Sequence, residues 1–93
     1  MKEPAHRHID LDCGIAYSRI EAWLRDELAL PFDDDAWIFE HADESCRIRI
    51  APLEPRSLGS VSLERCNLTA NGNAAAIDAF DRLFTLRFMS AGG

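Results

Sequence analysis

Lysine, long apolar runs and paired cysteines are scarce or missing in this 93-residue sequence. Lys2 is the one lysine, the ten basic residues never form a run, and the formal net charge is −6. Proteins that bind nucleic acids or anionic membranes do so through basic patches, because neutralised phosphates release counterions. We therefore expect no nucleic-acid partner and no membrane partner, and the acidic balance is typical of a soluble protein.

No apolar stretch approaches the 18 residues that a membrane-spanning helix needs, and nothing near Lys2 and Glu3 resembles a signal peptide. The sequence therefore predicts a cytoplasmic protein. The three cysteines Cys13, Cys46 and Cys66 form no CxxC pair. In a reducing compartment we expect them to be free thiols that pack as small hydrophobic side chains.

Catalytic and cofactor motifs are also missing. The sequence has no GxSxG, no phosphate-binding loop, no GxGxxG and no HExxH. We therefore assign no catalytic residue and expect no cofactor.

What is present fits one small globular domain. Hydrophobic residues make up 47% of the chain, which is an ordinary share for a chain with a single core. A chain of this length has no room for two such cores. We therefore treat residues 1–93 as one domain and expect 1–5 and 90–93 to be flexible.

Alternating and helical patterns place the first elements. Residues His8–Cys13 alternate apolar and polar side chains, which predicts a strand. Residues Ala16–Leu28 carry an apolar stripe with helical spacing, which predicts a helix, and Pro31 ends it. Residues Phe32–Asp35 are expected to form an acidic turn.

Three further strands follow in short succession. Residues Ala36–His41 are rich in aromatics, and Ser45–Ala51 alternates isoleucine with arginine before Pro52. A loop over residues 57–60 leads to a fourth strand, Val61–Ala70. The alternation slips near Glu64–Arg65, which predicts a β-bulge there.

A second helix is predicted for Ala74–Phe88, after a turn at Asn71-Gly72 and with Asn73 as its N-cap. Residues Phe84–Met89 also alternate, so a final strand is an alternative for that segment. No helix-breaking residue divides the pattern, and we therefore favour one continuous helix.

These elements predict the order β-α-β-β-β-α and an α+β fold. We expect a two-layer sandwich in which an antiparallel sheet of three to four strands carries two helices on one face. The order partly resembles a ferredoxin-like unit without its last strand. Residues 16–88 also resemble a double-stranded-RNA-binding domain in element order, but they lack the lysine cluster of such domains.

Strand parity indicates a candidate contact surface. If Cys46 and Ile48 face the helices, then Arg47 and Arg49 lie on the open face of the sheet. We expect Ile38 to point inward and the aromatics of its strand to be exposed. The candidate partner-binding residues are therefore Trp37, Phe39, Arg47 and Arg49, although the opposite parity would bury both aromatics.

A metal site is a second hypothesis. Histidines and aspartates alternate near the N-terminus, and a strand would align His6, His8 and Asp10, followed by Asp12, on one side. Imidazole and carboxylate ligands suit zinc. The alternative is a solvated polar face whose aspartates pair with the arginines of the sheet.

The last residues, Gly92 and Gly93, form a third candidate site. They resemble the terminal Gly-Gly of ubiquitin-like sulfur carriers, and this resemblance implies a tail that is adenylated and thiocarboxylated. The predicted element order differs from the β-grasp fold of those carriers.

The sequence thus favours a non-enzymatic protein-interaction or regulatory module, homodimeric through its open sheet face. One alternative is a small-molecule binder or small enzyme with a pocket between sheet and helices. Its polar groups would be His8, Tyr17, His41 and Arg65. The other alternative is a sulfur carrier that uses its Gly-Gly tail.

Overall fold

The computed structural model describes residues 5–89 and has an α+β fold, as the sequence predicts. Five strands and two helical segments follow one another along the chain. In order they are β1 (His6–Cys13), α1 (Tyr17–Ala22, continued by a π-helical turn at Trp23–Glu27), β2 (Phe32–Asp33), β3 (Ala36–His41), β4 (Glu44–Leu58), β5 (Val61–Asn73) and α2 (Ala74–Phe88).

All five strands belong to one antiparallel sheet in the order β1-β5-β4-β3-β2. The predicted three to four strands are therefore too few. The extra strand is Phe32–Asp33, which was predicted as a turn and instead pairs with Ala36 and Trp37 of β3. Because this short strand adds an edge to the sheet, the ferredoxin-like order is not reproduced in full.

Both helices contact the same sheet and close one core over it. The indole of Trp23 lies 5.7 Å from the ring of Phe80 and 6.0 Å from that of Phe84, and Phe39 of β3 lies 5.5 Å from Phe80. Aromatic contacts at these separations add stabilisation beyond their buried area. The helices are also joined by an ion pair in which Arg87 donates to Glu27 over 3.2 Å.

The first helix is terminated by a backbone cap that lies before Pro31. The Leu30 amide donates to the Leu24 carbonyl over 3.0 Å, and Ala29 between them adopts a φ of 52°. This is the left-handed C-terminal cap that glycine usually occupies. The helix predicted for residues 16–28 is thus present, with its second half π-helical.

The second helix is continuous over Ala74–Phe88, as predicted. The Asn73 side chain accepts hydrogen bonds from the amides of Ala75 and Ala76, which confirms Asn73 as the N-cap. Phe84 is buried against the sheet with helical neighbours on either side. The alternative of a final strand at 84–89 is therefore wrong.

The two central strands are longer than predicted. Strand β4 does not end at Pro52 but continues to Leu58, and β5 continues through Asn71-Gly72, which is therefore not a turn. Gly72 pairs with both Arg7 and Cys46 in the middle of the sheet. A Cβ at Gly72 would lie 2.6 Å from the Cys46 Cα, so glycine allows a close approach of two strands here.

A β-bulge occurs close to the predicted place but in the neighbouring strand. The register between β4 and β5 shifts between Leu53, which pairs with Arg65, and Arg56, which pairs with Leu63. Three steps along β4 therefore match two steps along β5, so the extra residue belongs to β4. The sequence pattern near Glu64–Arg65 therefore predicted the position of the β-bulge along the sheet, but it placed the bulge in β5 instead of β4.

Candidate functional site

The predicted aromatic contact surface is wrong in its orientation. Trp37 and Phe39 are buried, with 8% and 7% of their surfaces exposed, while Ile38 lies on the open face. The register explains this, because Trp37 is opposite Ile48 and Phe39 is opposite Cys46, and opposite residues share a face. The aromatics therefore belong to the core.

The two arginines lie on the open face, as predicted. Arg47 is opposite Ile38, and its Nη2 donates to the Asp33 carbonyl over 2.7 Å. Arg49 is exposed and lies opposite Thr69. Their role in binding a partner stays a prediction, and with the aromatics buried, Ile38 is the large apolar side chain beside Arg47 on this face.

The open face is a hydrogen-bonded polar surface along β1 and β5. The Asn67 side-chain amide donates to carboxylate oxygens of Asp10 and Asp12 over 2.7 and 2.9 Å. Arg65 lies 3.8 Å from Asp12. The open-face aspartates are thus engaged by neighbours on β5 rather than by Arg47 or Arg49.

The metal hypothesis finds no structural support. His6, His8 and Asp10 do alternate along β1, and all three are exposed. Across residues 5–89, however, no three His, Cys, Asp or Glu side chains are grouped closely enough to hold a metal ion. The reason is the pitch of a strand, which separates alternate side chains by about 6.5–7 Å.

Two other predictions have simple outcomes. Gly92 and Gly93, the hypothetical carrier tail, lie outside the described residues, and so do most of the predicted flexible ends. Ala5 is described, and its carbonyl accepts a hydrogen bond from the amide of Ala74 over 2.9 Å. No helix within residues 5–89 has the length and apolar character needed to cross a membrane.

A cleft of about 380 Å³ does lie between β1 and the end of α2, where Leu11, Cys13 and Phe88 line it, but none of the residues predicted for such a pocket belongs to it. The four predicted residues are dispersed, and His8 and His41 are both exposed. Tyr17 lines one peripheral cleft of about 360 Å³, and Arg65 lines another of about 490 Å³. Within residues 5–89, the clefts therefore do not bring these four groups together.

All three cysteines are free and buried, as predicted. Burial raises the pKa of the Cys46 thiol to about 11. Burial also raises the pKa values of Cys13 and Cys66, which lie directly opposite each other on β1 and β5. Protonated thiols are poor nucleophiles, so these cysteines suit a structural role better than a catalytic one.

The most distinctive surface feature is one that the sequence reasoning missed. Strand β1 pairs with β5 only as far as Cys66, and β3 pairs with β4 only as far as Ile48. Residues 53–65 therefore form a two-stranded hairpin with both edges unpaired, which we term the distal ribbon. It extends about 20 Å beyond the helix-covered body, since each strand residue adds about 3.3 Å.

Apolar side chains line one face of the distal ribbon. Leu58 is opposite Val61, and Leu63 and Leu53 share their face, where they lie opposite Arg56 and Arg65. This face continues the open face of the sheet, since Val61 and Leu63 are in phase with Asn67 along β5. Leu58, Val61 and Leu63 are 56%, 54% and 45% exposed. No element of residues 5–89 covers this apolar row, and contiguous exposed apolar side chains usually mark an interaction surface. We term these four residues the apolar row.

A signal for this hairpin is visible in the sequence. Leu58-Gly59-Ser60-Val61 is a two-residue turn with glycine between apolar residues, which is typical of a hairpin. Gly59 has a φ of 63°. The two prolines before it, Pro52 and Pro55, suggested the end of the strand instead.

A cleft of about 490 Å³ lies where the distal ribbon meets the body. It is lined by the turn after β1, residues 14–16, and by charged side chains of β1, α1, β4 and β5. Leu63 is its apolar wall. The charged residues that line it are Asp12, Arg19, Arg56, Glu64 and Arg65.

Comparisons with known proteins do not indicate a function, so a functional proposal for this chain depends on the geometry described above. No protein-family model matches the chain, and neither a curated protein nor a solved structure matches it.

Proposed function

We propose that this protein is a non-enzymatic interaction module of the cytoplasm that forms a homodimer through its distal ribbon. The observation that carries the proposal is the apolar row, Leu53, Leu58, Val61 and Leu63, on a hairpin that no helix or further strand of residues 5–89 covers. A two-stranded hairpin without further packing is only marginally stable in water. Contact with a partner would bury the row and stabilise the ribbon.

Charge favours a second copy of the chain as that partner. The distal ribbon carries two acidic residues, Glu54 and Glu64, and two basic residues, Arg56 and Arg65, so its charges cancel. The chain as a whole has a net charge of −6, and the residues outside the ribbon therefore carry all of it. Two ribbons can approach without net repulsion, while contacts between other parts of two chains oppose like charges.

The row is also suited to two-fold symmetry. In a symmetric dimer the same patch on each copy meets itself, so the patch must be complementary to itself. An apolar row meets this condition, whereas the part of the same open face that carries Asp10 and Asp12 does not. The row is small, and we therefore expect a weak dimer whose population depends on concentration.

Sedimentation equilibrium over a range of concentrations tests the proposal, with Leu58→Ser as the disruptive variant. Each copy loses one buried leucine, and each is expected to contribute about 1.5 kcal/mol or more. The dissociation constant should therefore rise about 100-fold.

Leu86→Ser is the matched control, because Leu86 is a leucine of similar exposure, 65%, on α2 and far from the ribbon in sequence. It should leave the dissociation constant unchanged. A wild-type chain that stays monomeric up to about 1 mM would refute the homodimer, as would a dimer that Leu86→Ser weakens and Leu58→Ser does not.

A further inference from the structure

The outer edge of β5 is unpaired beside the cleft. Strand β1 covers that edge from Asn73 down to Cys66, where the pairing with Cys13 ends. The chain then turns away at Gly14 toward α1, so no strand in the described part of the chain, residues 5–89, pairs with residues 61–65 of β5 on that side. This edge borders the 490 Å³ cleft through Leu63, Glu64 and Arg65.

The alternation of hydrogen-bonded and non-hydrogen-bonded pairs between β1 and β5 shows which backbone groups of β5 face the unpaired edge. The Ala74 amide donates to the Ala5 carbonyl, directly opposite in the register of β1 and β5. In an antiparallel pair, hydrogen-bonded and non-hydrogen-bonded opposite residues alternate. Even-numbered residues of β5 therefore direct their N–H and C=O groups toward β1, and beyond its end Ser62 and Glu64 direct theirs into open space.

The opposite edge of the same hairpin is protected. The Ile38 amide donates to the Pro31 carbonyl, so odd-numbered residues of β3 bond to even-numbered residues of β4, as Trp37 does with Ile48. Pro52 lies farther along that edge and has no backbone N–H. Proline on an edge strand prevents the addition of another strand. The β5 edge over 61–65 has no proline, so its donors and acceptors are ready for a new strand along the whole segment, whereas Pro52 interrupts the opposite edge.

The cleft beside this edge is more basic than the rest of the chain. Arg19, Arg56 and Arg65 line it with two acidic residues, whereas the whole chain has a net charge of −6. Arg65 is occupied by Asp12, at 3.8 Å. No carboxylate among residues 5–89 lies within ion-pair distance of Arg56, and Arg19 has its guanidinium 5.5 Å from the Phe88 ring instead.

From these observations we infer that the β5 edge over residues 61–65 is a binding site for an extended acidic peptide. The peptide adds a strand in line with β1 and antiparallel to β5, and it bonds to the outward N–H and C=O groups of Ser62 and Glu64. Its carboxylates lie by Arg19 and Arg56. Strand addition of this kind takes its affinity from the backbone and its selectivity from alternate side chains. The peptide site uses the outer backbone edge of β5 and the arginines of the cleft, whereas the dimer contact uses the side chains of the apolar row. Leu63 borders both, and peptide binding does not require a dimer.

The probe is a blocked, labelled seven-residue peptide of sequence TVDVDVT, followed by fluorescence anisotropy and by amide chemical shifts. We expect saturable binding with the largest shifts at the amides of Ser62 and Glu64. The same peptide with lysines for both aspartates is the charge control, and its affinity should be at least about 10-fold lower. Binding should also weaken as salt is raised, because exposed charges are screened.

The hairpin supplies a matched pair of edge variants. Ser57 and Ser62 are opposite each other, and each directs its amide to a different outer edge. Ser62→Pro removes a donor from the proposed site and should reduce the affinity about 10-fold, since one hydrogen bond is lost and the ring also obstructs the edge. Ser57→Pro makes the same change on the opposite edge and should bind the peptide as the wild type does. Arg56→Gln should weaken binding by about 3-fold without altering the fold.

Several outcomes would overturn the inference. They are no binding at about 1 mM peptide, equal binding of the lysine peptide, or equal losses from Ser62→Pro and Ser57→Pro. A dimer that Ser62→Pro dissociates would also overturn it, because a second copy would then occupy the edge. The monomeric Leu58→Ser variant should still bind the peptide. A wild-type monomer that binds it would refute the homodimer and leave the peptide site standing.

Discussion

The helix-covered body and the distal ribbon are made of the same two strands, yet they differ in what covers them. In the body, Cys66, Leu68 and Ala70 of β5 are fully buried beneath the helices. In the ribbon, Ser62 and Glu64 continue the same face of β5 and are exposed, and Val61 and Leu63 on the open face are about half exposed. The hydrogen-bonded ladder continues through both regions, so backbone pairing does not distinguish them. The difference shows that a strand contributes to stability mainly through the layer packed on it, and that an uncovered strand is available to a partner.

Truncation of a buried side chain should show the largest difference in stability between the body and the distal ribbon. Phe80→Ala removes a fully buried ring that contacts Trp23, Phe39 and Phe84, and it should lower the free energy of unfolding by about 3–5 kcal/mol. Leu63→Ala in the ribbon should lower it by no more than about 0.5 kcal/mol in the monomer. Urea denaturation at low protein concentration measures both values. Similar losses would mean that the ribbon is part of the core.

Two glycines allow the same comparison for the backbone. A Cβ at Gly72 would approach the Cys46 Cα and the Ser45 carbonyl oxygen to 2.6 Å, and its φ is 147°. Gly72→Ala should therefore cost about 2 kcal/mol or more, because neither strand can move without disturbing the sheet. A Cβ at Gly59 would meet no atom within 4 Å, and the only penalty is the backbone strain of a φ of 63°. Gly59→Ala should therefore lower the free energy of unfolding by about 1 kcal/mol.

Thermal unfolding of both glycine variants provides the check. If Gly59→Ala were the more damaging substitution, the ribbon turn would be more rigid than the centre of the sheet.

Alkaline pH should weaken the body, since all three thiols belong to it. The pKa of Cys46 is raised to about 11 from an ordinary value near 9, so the unfolded chain loses this proton first. The contribution of the protonated Cys46 thiol to the free energy of unfolding is therefore fully present below pH 9, and it is lost as the pH rises toward 11. Chemical denaturation at pH 8 and near pH 10.5 should show this loss, and Cys46→Ala should reduce it. An unchanged pH dependence in Cys46→Ala would assign the loss to other groups.

Much of the fold was predictable because its signals are local. The stripe of α2, the Asn73 cap and the alternation of β4 each depend on residues close together in the chain. The orientation of β3 was not predictable, because Trp37, Ile38 and Phe39 are all apolar and either face could be buried. The register with Ile48 and Cys46 decided it.

The candidate site was predictable only in part. Arg47 and Arg49 were placed on the open face correctly, but the apolar row was overlooked because Pro52 and Pro55 suggested the end of a strand. Proline interrupts a strand only where its missing N–H is needed. In this sheet the amide position of Pro52 faces an unpaired edge, so β4 continues past it.

The sequence by itself determined the α+β class, the two helices, the acidic charge and the burial of the cysteines. These follow from composition and from periodicities of two and 3.6 residues, which act over a few residues. The tertiary structure alone decided which strands extend beyond their neighbours and which edges stay open. Such features depend on strand lengths and registers set between distant segments, so the distal ribbon and the unpaired edge of β5 became visible only in the folded chain.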